Sequence, residues 1–206
     1  MAKKNVLQQL KEEEKQKKKD LIIDTAVSLF SNKSPGEIHL KDISGELGIS
    51  APTIYQYFES RDSLFVEIFT REILKLAKYV EEKMEKENEK SLEAIIRFSV
   101  GYLIENEGCF QILNYFLVKR NISPDILRRA RNSISNFIKI IEEGFKNLAI
   151  KGDTLMLLHT LIGSVAGAIL IYRNYPSFDT KNVDNLMYKL ALLNTRAFKQ
   201  DSIEKE

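Results

Sequence analysis

With one cysteine in the chain, Cys109, no internal disulfide can form, and a lone thiol of this kind is expected to pack as a small apolar group. Redox sensing would instead require an exposed thiol of lowered pKa. Nine glycines and four prolines are few for 206 residues, and no segment alternates apolar and polar residues as a half-buried strand does. A sheet is therefore not expected. Charge of one sign is also missing: the formal net charge is +2, and residues 1–71 are near neutral. Bulk charge thus gives no sign of a nucleic-acid partner, and any such signal must be local.

Other absences narrow the function. The N-terminus mixes lysine and glutamate and lacks the apolar run of a secretory signal, which fits a cytoplasmic protein. Two histidines, His39 and His159, and Cys109 lie far apart, with no HExxH, CxxC, GxSxG or phosphate-cradling glycine loop to join them. No catalytic group, metal site or cofactor is expected. The longest apolar run, residues 155–172, is interrupted by His159, Thr160 and Ser164 and flanked by Asp153 and Arg173. It reads as a helix buried in a core or a subunit interface rather than a membrane span.

What is present, at 44% hydrophobic residues, is apolar spacing of three and four from residue 20 onward, enough for a sizeable all-α core. Residues 1–19, ending KEEEKQKKK, read as a solvated or frayed arm, with a basic arm touching DNA phosphate as the sharper alternative. Leu21, Ile22, Thr25, Ala26, Leu29 and Phe30 form one helix face that stops at the turn cluster Ser34-Pro35-Gly36. Leu40, Ile43 and Leu47 mark a short second helix ended by Gly48, and Ser50 is placed to cap a third helix by accepting from a backbone N–H, with Pro52 in its first turn. Residues 62–88 read as one long helix, followed by helices over 91–106, 108–120, 124–148, 153–174 and 182–200.

Helix, tight glycine turn and helix make a helix-turn-helix, whose second helix enters the DNA major groove. Small Ser44 allows the two helices to approach, and Ile43, Leu47, Ile49 and Ile54 are expected to wedge between them. Ala51, Thr53, Gln56 and Tyr57 then face outward with Tyr55 beside them. Glutamine suits adenine edges, alanine and threonine methyls suit thymine, and hydroxyls suit phosphate. Phe58, Ile54 and Leu64 are expected in the core.

Over residues 20–65 the chain resembles the TetR family of transcriptional repressors: Leu29-Phe30, Ile43-Ser44, Leu47-Gly48-Ile49-Ser50, Pro52-Thr53-Ile54-Tyr55, Tyr57-Phe58 and Arg61-Asp62-Ser63-Leu64 follow its order and spacing. The resemblance implies phosphate contacts at Thr53, Tyr57 and Arg61, and places Ala51, Pro52, Tyr55 and Gln56 at or near bases. His39 stands where the family usually has a capping Thr or Ser, and Arg61 where Lys is commoner. With Lys41 and Ser50 these residues complete the candidate DNA-contact set. The implied organisation is a charged arm (1–19), a three-helix DNA-binding domain (20–65) and a helical ligand-binding and dimerisation domain (66–206).

For that last region the resemblance implies a ligand pocket and a dimer of paired C-terminal helices. Phe98, Tyr102, Phe110, Asn114 and Tyr115, with His159, are the candidate ligand contacts, since apolar walls with a few polar groups suit a small, largely apolar effector. Leu161, Gly163, Gly167 and Leu170 on one helix, and Leu186, Leu190 and Leu193 on the next, are the candidate dimer face. The expected protein is a homodimeric repressor on a palindromic operator. A regulator controlled by a protein partner and a DNA-organising protein are the alternatives.

Overall fold

The computed structural model describes residues 2–119, 123–147 and 153–173, with scattered positions between 185 and 197. Every regular element among them is helical, so the fold is all-α. In order these are α1 (Ala2–Phe30), a 3-10 turn (Pro35–Glu37), α2 (Leu40–Glu46), α3 (Ala51–Tyr55), α4 (Arg61–Glu87), α5 (Leu92–Glu105), α6 (Glu107–Val118), α7 (Pro124–Asn147) and α8 (Thr154–Arg173). The helix expected over 182–200 lies largely outside the described residues.

The described residues form two compact units, one of Met1–Arg71 with Glu107–Ala130, the other of Glu72–Asn106 with Arg131–Glu206. In the first, Ile22, Ile23, Ala26 and Phe30 of α1 are buried with Ile38, Ile43, Ile54, Phe58, Leu64 and Phe65. The Phe30 and Phe65 rings meet edge to face at 5.2 Å, and Phe65 meets Tyr115 of α6 at 5.6 Å. Helix α6 comes so close to α1 that a Cβ on Gly108 would run into the Val27 carbonyl and side chain. Packing thus places α6 with the N-terminal helices, although its sequence position is C-terminal to them.

Residues 2–19 correct the expectation of a frayed arm, since they extend α1 as continuous helix. Lysine, glutamate and glutamine are good helix formers, and a helix already nucleated by the packed residues 22–30 propagates into them at little cost. Exposed pairs one turn apart assist, Lys18 to Glu14 at 2.6 Å and Gln16 to Asp20 at 3.1 Å.

Helix α4 contributes residues to both units. Ser60 and Ser63 cap its start reciprocally, each hydroxyl accepting the other's backbone N–H at 3.0 and 3.1 Å. Its end turns through Asn88, in the left-handed region at φ 50°, where the Glu89 N–H reaches the Met84 carbonyl at 3.0 Å. In the second unit α5 starts at Ser91, whose Oγ accepts from the Ala94 N–H at 3.1 Å. Leu92, Ile95, Ile96, Ile141 and Phe145 are buried there, and Gly144 lies where a Cβ would press on Leu92 and Ile95. Among the described residues no helix is long and apolar enough to cross a membrane.

Candidate nucleic-acid interface

The turn between α2 and α3 is built by backbone chemistry that only a few residues permit. The Gly48 N–H donates to the Gly45 carbonyl at 3.2 Å and the Ile49 N–H to the Ser44 carbonyl at 3.0 Å. Closing both bonds needs left-handed backbone at Gly48, whose φ is +64°. Ser44 is buried, Ile43 and Ile54 are fully enclosed, and this wedge fixes α3 against α2. Ile49 departs from expectation: it is 36% exposed, because reversal at Gly48 carries it out of the seam. Ser50 also differs. Its hydroxyl makes no cap bond to a backbone N–H and instead pairs with the Thr53 hydroxyl at 2.8 Å.

The outer side of α3 presents Pro52 and Gln56 exposed, Tyr55 at 56% exposure, and Ala51, Thr53 and Tyr57 half-buried. Beside it lies an open depression of about 430 Å³ lined by His39, Leu40, Lys41, Ala51, Tyr55 and Arg61. Five of the ten residues singled out from sequence as DNA contacts therefore converge on one concavity. The other five, Ser50, Pro52, Thr53, Gln56 and Tyr57, continue along α3 and its flanks. Imidazole, ammonium and phenol groups around a wide, shallow surface suit an extended anionic ligand more than an enclosed small molecule.

Two local devices shape the depression. Asp42 caps α2 by accepting the His39 backbone N–H at 2.7 Å, and that bond holds its carboxyl below the usual carboxylate range. The His39 side chain is exposed. Arg61 braces the opposite rim. Its Nε donates to the Ile38 carbonyl at 2.7 Å, and its Nη2 donates to the carbonyls of Pro35 and of Gly36, the latter at 3.1 Å. The guanidinium carbon lies 4.4 Å from the centre of the Phe65 ring. These N–H groups hold the loop before α2, a duty that the resemblance to phosphate-binding positions did not suggest.

Residues 22–68 match the family model described as bacterial regulatory proteins, tetR family. The N-terminal segment belongs to the TetR family. An HTH-type transcriptional regulator of Mycobacterium tuberculosis is 34% identical over 61 residues, 30% of this chain and 30% of the relative. The chain thus aligns with less than a third of that relative's length. Among solved structures, the fatty acid degradation regulator FadR from Bacillus halodurans superposes with a TM-score of 0.64 at 14% identity, covering 86% of this chain and 94% of the other. The transcriptional regulator FadR from Bacillus subtilis, in complex with stearoyl-CoA, does so with a TM-score of 0.60 at 18% identity, covering 83% and 96%. At these identities the likeness shows the all-α fold alone.

The TetR reading of residues 22–68 leaves the other candidates to geometry. Phe98 and Tyr102 belong to the second unit, Phe98 buried and the Tyr102 ring tilted against Tyr79 with centroids 5.0 Å apart. Phe110, Asn114 and Tyr115 belong to the first: Phe110 is buried and the Lys119 ammonium lies 5.1 Å from the Tyr115 ring. Asn114 keeps a buried Oδ1 without a hydrogen-bond partner. His159 is exposed on α8. Leu161 is buried, Leu170 half-buried, and Gly163 and Gly167 have open space where a Cβ would stand. Leu193 is 56% exposed, while Leu186 and Leu190 lie outside the described residues. Cys109 is buried and in no disulfide, as expected for a packing thiol.

Sequence reasoning took Lys18 and Lys19 only as part of the charged arm, without their individual contacts. Lys19 bonds Glu67 at 3.1 Å and sits 5.2 Å from the Phe58 ring centre. The hydrogen-bonded Glu14 raises the Lys18 ammonium above its ordinary value, and the nearby Tyr57 phenol acts in the same direction. Their helical phase relative to the buried Ile22 and Ile23 was the signal available.

Proposed function

We propose that the chain regulates transcription, probing the major groove with α3 and binding a near-palindromic operator as a homodimer. The observation that carries this is the convergence of His39, Lys41, Ala51, Tyr55 and Arg61 beside an exposed Gln56, on the segment that matches the TetR model. A single helix-turn-helix reads only a few base pairs, so two copies related by a dyad are needed for a specific site. The exposed face of α8, with Met156, Gly163, Gly167 and Ile171, supports pairing of two copies there, since small residues permit close helix approach.

A small, largely apolar effector is the natural inducer, with an acyl chain as first choice because a fold relative is described with stearoyl-CoA. The unpartnered Asn114 Oδ1 is an acceptor that a polar group of such a ligand would satisfy. Helix α4, shared by the two units, is the element through which ligand and DNA would communicate. Lowering operator affinity 100-fold takes about 2.7 kcal/mol of coupling, and the operator must then weaken the ligand by the same factor.

The test is selection of DNA sites from a random pool with the full chain, combined with sedimentation. A dimer and dyad-symmetric sites are expected. Gln56→Ala should cost about 1–3 kcal/mol on the selected site and relax one base position. Sites without symmetry, or equal losses on scrambled DNA, would overturn the reading.

A further inference from the structure

The charge of this chain is distributed against the simple picture of a basic DNA-binding domain. Residues 20–71, which contain the whole helix-turn-helix, hold eight acidic side chains and four basic ones, a formal −4. Residues 1–19 hold seven lysines and three glutamates, a formal +4. Residues 72–206 hold twenty basic and eighteen acidic side chains, a formal +2, so within residues 1–71 the positive excess lies in the first nineteen alone. Around the helix-turn-helix, attraction to a polyanion draws on that segment.

The segment is a helix, and its lysines are ordered. At 100° per residue, Gln8, Lys11, Lys15 and Lys18 fall within an arc of about 80° on one side of α1. The three glutamates are consecutive and therefore fan out around the helix. Only Glu14 pairs with a stripe residue among the described contacts, bonding the exposed Lys18 at 2.6 Å. Every side chain from Val6 to Lys18 is exposed, so the stripe has no occupant within the first unit. Its inner end adjoins the DNA-facing surface: Lys18 feels the Tyr57 phenol, and Lys19, the next residue, sits over Phe58 and bonds Glu67. Residues 2–18 of a helix span about 25 Å, comparable with most of one turn of duplex.

Resting on the DNA-binding reading above, we infer that the N-terminal extension of α1 lays Lys11, Lys15 and Lys18 along the phosphate backbone flanking the bases read by α3. It supplies affinity without sequence preference, offsetting the acidic body of the domain. The contact is made by exposed ammonium groups on a rigid rod whose direction is fixed by the buried Ile22, Ile23 and Ala26. Phosphate replaces Glu14 as the partner of Lys18.

The experiment compares the full chain with a Lys11→Gln, Lys15→Gln, Lys18→Gln triple variant on a random-sequence duplex and on a selected operator, across 50 to 200 mM salt. Loss of three phosphate contacts should flatten the plot of log K against log salt by about 2.7 units, so the defect at 50 mM exceeds that at 200 mM by about 40-fold. The preference for operator over random duplex should stay constant, as should the helical circular dichroism. Lys17→Gln, on the opposite side of α1, should leave the slope unchanged. An unchanged slope in the triple variant, or an equal effect of Lys17→Gln, overturns the stripe. No salt-dependent binding by the parent chain would instead overturn the DNA reading itself. Because Val6, Leu7 and Leu10 are exposed near the tip, vesicles containing phosphatidylserine form the last arm. Binding to them that is lost in the triple variant, with DNA binding unaltered, would reassign the stripe to a lipid surface.

Discussion

Removing the Arg61 side chain separates two roles that resemblance alone would merge. Its guanidinium donates to the carbonyls of Pro35, Gly36 and Ile38, binding the loop before α2 to the start of α4. A hydrogen bond involving a charged group is worth about 1.5–3 kcal/mol. The residue is half-exposed, and water can replace part of what is lost, so three bonds do not sum. We expect Arg61→Ala to cost about 2–3 kcal/mol, close to the value of one well-made charged bond. With a urea slope of about 2 kcal/mol per molar, the unfolding midpoint followed by circular dichroism should fall by about 1 M. Arg61→Lys restores a minority of this, since a compact ammonium cannot span three carbonyls in a fixed fork. On DNA, the salt slope should stay at its parental value while affinity weakens through the displaced loop. An unaltered urea midpoint together with a salt slope reduced by about one unit would refute this account and return Arg61 to the phosphates.

Gly48→Ala places a Cβ in open space, so its cost should be conformational alone, about 1–2 kcal/mol for left-handed backbone, read from the same urea curves. Gly108→Ala should lose more than Gly48→Ala, because its Cβ meets the Val27 backbone, which cannot yield; equal losses would contradict the close approach of α6 to α1. Asp42, whose carboxyl is lowered by the His39 N–H, contributes fully above its unfolded pKa of about 4, and that contribution fades as pH falls through the lowered folded value. Asp42→Asn should therefore show a flatter fall in stability between pH 5 and pH 2 than the parent, and parallel curves would discount the charged cap.

Local chemistry made the first four helices legible. Ser34-Pro35-Gly36, Gly48 and Pro52 punctuate the chain through backbone rules that hold whatever surrounds them, and the turns stand where those rules put them. The arm is legible only in part: its lysines and glutamates report solvation, which residues 6–18 show, but a solvated segment can still be helical rather than frayed when joined to a packed helix. Arg61 shows a different limit, since its carbonyl partners lie 23 to 26 residues away and no periodicity announces them. On α8 the residues are apolar almost all round, so spacing could not say which face turns inward, and His159 proved to be exposed. Asn114 could be singled out as a polar residue among aromatics, but its missing partner is visible only once α6 is packed.

The guanidinium fork of Arg61 also bears on the calorimetry of association. Because it ties the loop before α2 in the free protein, the concave surface beside α3 needs no folding when DNA arrives. Little apolar area is then buried by ordering of the protein, so the heat-capacity change of binding should be small and set by the contact itself. Ordering entropy is likewise already spent, which leaves the encounter, rather than a slow rearrangement, to govern how quickly the duplex is engaged.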